Sequence, residues 1–170
     1  KNSRGIVIEL ASGAFFKPGS AQLRKVAVPV LKKMSDMLSA KKFACFNIKV
    51  EGHSDDVPIR TKQFPSNWEL SAARASRVVR FFVEEKMASF RLQAIGFAET
   101  KPKVPNRDAE GKPIKQNQMT NRRIELQVER MNLKEQQRCN EETDFKDILK
   151  KVNNKGTSAD GQGTPLPQQQ

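Results

Sequence analysis

Residues 122–130 alternate without a break. Ile124, Leu126 and Val128 fall on one side of an extended chain, and Arg123, Glu125, Gln127 and Glu129 on the other. Successive side chains of a strand point to opposite faces, so this segment fits a sheet with one dry and one wet face. Two further segments repeat the pattern. Ile6, Ile8 and Leu10 alternate with Val7 and Glu9, and Phe46, Ile48 and Val50 alternate with Asn47, Lys49 and Glu51 ahead of Gly52. Residues 92–98 read as one more strand.

Between the strands the period changes. Leu23, Val26, Ala27, Val30, Leu31, Met34 and Leu38 recur three and four residues apart, which predicts a helix with Ser20 as its N-cap and a basic outer face. Ser66, Asn67, Trp68 and Glu69 form a capping box that opens a second helix, with Trp68, Ala72, Ala75, Val79, Phe82 and Val83 as its stripe and an end near Lys86. The order is therefore β-α-β-α-β-β. Single-striped helices and strands with one dry face predict a two-layer α/β (α+β) sandwich, a four-stranded mixed sheet with two helices on one face. Residues 99–121 read as a long polar connection carrying three prolines. Beyond Arg130, sparse apolar positions at Leu133, Cys139, Phe145, Ile148 and Leu149 predict an extra C-terminal helix. The expected organisation is a linker at 1–4, a domain at 5–130, a helical extension at 131–152 and a disordered tail, rich in Gly, Ser, Pro and Gln, at 153–170.

Lys and Arg number 31 against 19 Asp and Glu, a net charge of +12, which favours an anionic partner. Residues 131–170 carry six basic and six acidic side chains, so the excess lies in the body of the chain and no basic arm is present. A nucleic-acid-binding domain is the runner-up from another class. An RNA-stacking sheet, however, needs outward aromatic side chains; the clearest strand shows none there, and the chain has no Tyr. Two cysteines are too few for a disulfide framework or a zinc site, and Cys45 reads as a small buried hydrophobe. The longest apolar run, residues 26–31, contains Pro29 and is far too short to span a membrane.

His53 is the only histidine. A metal set would join it to Asp55 and Asp56, and a hydrolase would pair it with Ser54 or Ser71, but no accompanying ligand cluster, nucleophile elbow or glycine-rich phosphate loop supports either. His53 is expected to fix its loop by local hydrogen bonding, with no catalytic group, metal or cofactor.

Four separated motifs, Gly52-His53-Ser54-Asp55, Leu70-Ser71-Ala72-Ala73-Arg74-Ala75, Gly96-Phe97-Ala98-Glu99 and Asn121-Arg122-Arg123-Ile124-Glu125, resemble in this order the OmpA-like peptidoglycan-binding domain, over about residues 5–130. Residues 16–20 and 64–71 resemble its flagellar stator branch, MotB, with another OmpA- or Pal-like cell-wall anchor as the alternative within the family. The resemblance implies a non-catalytic grip on the free end of diaminopimelate in the stem peptide, where an ammonium and a carboxylate share one carbon. It assigns Asp55 to the ammonium and Arg74 to the carboxylate, roles that suit a fixed anion and a bidentate cation. In the ligand-free protein these two are expected to pair with each other. Ser54, Asn67, Leu70 and Ser71 are expected around them, with Asn121 and Arg122 as the opposite wall and Arg123 on the other face of the sheet. Lys17 stands where relatives often have Asp, so any contact there would run through backbone. Also implied are a homodimer, a MotA-like subunit reached through a transmembrane part outside this sequence, and a periplasmic location in a protein anchored in the bacterial inner membrane. No nucleic-acid partner is implied.

Overall fold

The computed structural model describes residues 5–155. The chain divides into two compact units, residues 1–131 and 132–170. In the first, β1 (Ile6–Ala11), β2 (Phe46–Gly52), β3 (Leu92–Gly96) and β4 (Arg123–Arg130) form one sheet in the order β1-β4-β2-β3. β4 is antiparallel to both of its neighbours, and β2 runs parallel to β3, so the sheet is mixed as expected. Ile48, Val50, Ile124, Leu126 and Val128 are fully buried under α2 (Ala27–Ser39) and α3 (Asn67–Glu84), which supply Leu31, Leu38, Val78 and Phe82.

Two glycines set how close α3 comes to the sheet. A Cβ on Gly52 would lie 2.1 Å from the backbone oxygen of Ser71, and one on Gly96 would lie 2.7 Å from the backbone nitrogen of Ala72. The first turns of α3 therefore rest directly on the adjoining ends of β2 and β3. The capping box is present: Ser66 Oγ accepts from the Trp68 N–H at 3.2 Å, and Glu69 accepts from the Ser66 N–H at 2.8 Å.

Several expectations are corrected. A one-turn helix, α1 (Ser12–Phe15), follows β1, and α2 begins only at Ala27, so Ser20 does not cap it. Ser20 Oγ instead accepts from the Gln22 N–H, closing a local turn, and Val26 and Val30 are exposed. Of the expected stripe of α3, Ala75 and Phe82 are buried, but the inward face also runs through Leu70, Ser71, Arg74, Val78 and Phe81, which leaves Trp68 49% exposed and Ala72 and Val83 at the surface. The connection at 99–121 is not all irregular, since it closes with α4 (Lys115–Asn121). Cys45 is only half-buried, and neither cysteine is a free thiol, so its reading as a simple hydrophobe does not hold.

The second unit contains α5 (Leu133–Lys155). Asn132 Oδ1 accepts from the Glu135 N–H, and Glu135 accepts from the Asn132 N–H, a reciprocal cap at its start. The helix runs to Lys155, three residues into the segment expected to be disordered. The rest of that tail, and the linker at 1–4, lie outside the described residues. Among the described residues no helix is long and apolar enough to cross a membrane.

Candidate functional site

Where β2 ends, the chain enters a cleft of about 660 Å³ between the β2–α3 loop, the β1–α2 segment and α4. The loop is held from several sides. The Ser54 N–H donates to the Ala98 carbonyl at 2.8 Å, Ser54 Oγ donates to the Asp55 carbonyl at 2.9 Å, and Asn67 Nδ2 donates to the Val57 carbonyl at 3.0 Å. Asp55 is thereby fixed at the cleft wall, only 5% exposed. Its Oδ1 accepts from the Val57 N–H at 3.2 Å, and its Oδ2 accepts from the guanidinium of Arg122.

Arg74 reaches the same cleft from α3 and is 6% exposed. Its guanidinium donates to the Ser20 carbonyl at 2.9 Å, to Ser12 Oγ at 3.1 Å and to the Lys17 carbonyl at 3.4 Å, and it lies 5.2 Å from the centre of the Phe16 ring. All of these partners are uncharged. Among the described residues no carboxylate pairs with it. Burial, and then the neighbouring charge of Arg122, bring its pKa down to about 10, with Asp55 acting in the opposite direction. The group stays protonated at neutral pH, a buried cation in the lining of the cleft. The expected pair of Asp55 with Arg74 is therefore replaced by Asp55 with Arg122.

Six of the nine expected residues line this cleft: Ser54, Asp55, Asn67, Leu70, Arg74 and Arg122. Three do not. Ser71 is buried behind it, donating to the Trp68 carbonyl and accepting from the Ala98 N–H. Asn121 is fully buried and clamps residues 103–106: its Oδ1 accepts from the N–H groups of Lys103 and Val104, and its Nδ2 donates to the Val104 carbonyl and Asn106 Oδ1.

His53 is the third. Its ring is 3% exposed, stacks on Phe97 at 5.3 Å, and leaves both nitrogens without a hydrogen bond, so it does not fix the loop as expected. Burial, followed by the field of Arg123, lowers its pKa to about 4. Its neighbours are Glu51 and Glu125, with donor atoms of all three within 4.8 Å, rather than the Asp55 and Asp56 of the metal set weighed above. Arg123 lies on this opposite face and donates to Glu125 at 2.6 Å, so positive charge is already supplied there.

Sequence reasoning missed Ser12, Phe16, Arg24, Lys115 and Gln118, which also line the cleft. They come from the irregular β1–α2 segment and from α4, which carry no periodic signal. Lys17 meets Arg74 through its backbone carbonyl.

A family model described as OmpA family matches residues 15–116. The chain is 35% identical over 127 residues to Motility protein B of Bacillus subtilis, an alignment covering 74% of this chain and 46% of that one. It spans about half the length of the curated relatives it matches. Among solved structures, a MotB-like protein from Desulfovibrio vulgaris superposes with a TM-score of 0.66 at 32% identity, covering 75% of this chain and 77% of that one. The cell wall anchor of the T6SS from Pseudomonas aeruginosa superposes at 0.63 with 33% identity, covering 74% and 81%.

Proposed function

The chain belongs to the OmpA family, and from that premise we propose that it binds peptidoglycan without catalysis, holding the zwitterionic end of diaminopimelate between Asp55 and Arg74. The observation that carries the reading is Arg74. A buried guanidinium hydrogen-bonded only to neutral oxygens, lining a cleft that also holds a fixed carboxylate, has the chemistry to take a ligand carboxylate while Asp55 takes the adjoining ammonium. Family membership and the likeness to MotB-type proteins support a role as the cell-wall anchor of a flagellar motor stator. Such a domain works in the periplasm, as a homodimer, in a protein anchored in the inner membrane and joined to a MotA-like subunit through a part outside this chain.

The likeness to a cell wall anchor of another apparatus favours a second reading, in which the same grip anchors a different machine. Both readings use one cleft. Binding of nucleic acid on the open sheet face is disfavoured, because its cations are spent on its own carboxylates: Lys49 pairs with Glu129, Arg123 with Glu125 and Lys103 with Glu9, and Glu51 adds a further acid.

Co-sedimentation with purified diaminopimelate-type sacculi tests the proposal. Asp55→Asn raises the net charge, so general adhesion to an anionic polymer would hold or increase, whereas a pocket that needs the carboxylate loses binding. Arg74→Lys keeps the charge but not the paired donors and should also bind poorly. Binding of both variants at the wild-type level would overturn the assignment.

A further inference from the structure

The diaminopimelate grip accounts for one anion and one cation, but the cleft holds more charge than that. Arg24, Arg74, Lys115 and Arg122 line it, against Asp55 as the single carboxylate among its lining residues. Of the four cations, Arg122 alone has a carboxylate partner among the described residues, and that partner is Asp55 itself. Both oxygens of Asp55 are engaged, one by the Val57 N–H and the other by Arg122. An arriving ammonium therefore meets an Asp55 already engaged by Arg122, and must share the carboxylate or take it over.

The two arginines differ in their freedom to respond. Arg74 is buried and held by three hydrogen bonds, whereas the Arg122 side chain is 40% exposed at the cleft wall. Displaced by an ammonium, Arg122 would stand unpaired in a cleft already rich in positive charge. That outcome is unfavourable unless the ligand brings another anion.

Building on the diaminopimelate reading, we infer that the cleft recognises a second free carboxylate on the stem peptide, and that Arg122 receives it after giving up Asp55 to the ligand's ammonium. The ligand is thus read as a zwitterion plus one further carboxylate. A stem peptide offers that group in two places, the α-carboxylate of its D-glutamyl residue and its C-terminal carboxylate.

The test is isothermal titration calorimetry of the whole chain with four forms of the tetrapeptide N-acetyl-L-Ala-γ-D-Glu-meso-diaminopimelyl-D-Ala, its L-Ala amine capped so that no other ammonium is present: unmodified, amidated at the D-glutamyl carboxylate, amidated at the C-terminus, and amidated at both. The zwitterionic end is intact in all four. The wild type should bind the doubly amidated peptide about tenfold more weakly than the unmodified one, the scale of one charge-assisted hydrogen bond. The single amidation that reproduces most of this loss identifies which carboxylate Arg122 meets. Arg122→Gln should move the two extremes in opposite directions. It should bind the unmodified peptide several-fold more weakly and the doubly amidated one several-fold more tightly, because the competitor for Asp55 is gone. Equal binding of all four peptides by the wild type, or uniform weakening by Arg122→Gln, would overturn the inference and leave the grip standing. Failure of the wild type to bind any of the four would overturn the grip and the inference together.

Discussion

Arg122, and not Arg74, holds the carboxylate of Asp55. The two arginines of the cleft thus do different work in the ligand-free protein. One neutralises the acid, while the other is built into the scaffold and keeps its charge without a carboxylate partner among the described residues.

That scaffold role gives a first prediction. Arg74 ties α3 to Ser12, Lys17 and Ser20, and its loss leaves the buried Ser12 hydroxyl and two partly buried carbonyls without this donor. Arg74→Ala should therefore cost about 2 kcal/mol of stability in urea unfolding, beyond any effect on binding. Stability equal to wild type would mean that the three bonds add nothing net.

Gly52 gives a second. A methyl group there meets the Ser71 carbonyl at 2.1 Å, and backbone cannot swing aside as a side chain can. Gly52→Ala should lower stability by about 3 kcal/mol and weaken ligand binding, because α3 carries Asn67, Leu70 and Arg74. Gly13→Ala, with nothing within 4 Å of the new atom, is the control and should change little. Equal melting temperatures for the two variants would contradict the close approach of α3 to β2.

These two positions also show what could be read from the sequence and what could not. β2 and β4 were legible because their alternation is uninterrupted, and the start of α3 because Ser66 and Glu69 are a local capping pair. The inward face of α3 was legible at Ala75, Val79 and Phe82 but not at Trp68, Ala72 and Val83, because its first turns bury polar groups, Ser71 and Arg74, which a count of apolar positions skips. α4 escaped notice because it has seven residues and no apolar stripe. Within the site, Asp55 and Arg74 stood out through their motifs. The partner of Asp55 lies 67 residues away, and which of two arginines reaches it depends on packing that no local pattern encodes.

His53 gives a third prediction, in pH. Its pKa falls from the ordinary 6.5 to about 4 in the folded protein, chiefly through burial. Above pH 6.5 the folded and unfolded forms are both neutral there. Below it the unfolded chain takes up the proton first, so stability should fall as pH drops from 6.5 towards 4 and level off beneath that, a total of about 3 kcal/mol. Glu51, whose pKa is raised by burial and by Glu125, works in the opposite direction, so the comparison must be between proteins that both retain it. Urea unfolding of wild type and His53→Gln across this range should show a shallower loss in the variant. Parallel curves would exclude His53 as the source.

The last prediction concerns salt. If Asp55 and Arg74 alone met the ligand, their charges would cancel and binding would be nearly indifferent to ionic strength. The cleft is not neutral, however, since Arg24, Lys115 and Arg122 stand around that pair. An anionic stem peptide should then bind with an affinity that declines as salt rises, because partly exposed charges are screened over a length of about 8 Å at physiological ionic strength. The same peptide with its two other carboxylates amidated should bind more weakly but with a flatter salt dependence. Arg24→Gln and Lys115→Gln, neither of which touches the grip, should each flatten the dependence for the unmodified peptide while leaving the doubly amidated one almost unchanged. Titrations at 50 and 500 mM salt would decide the matter: identical slopes for the two peptides in the wild type would show that the surrounding cations take no part in recognition.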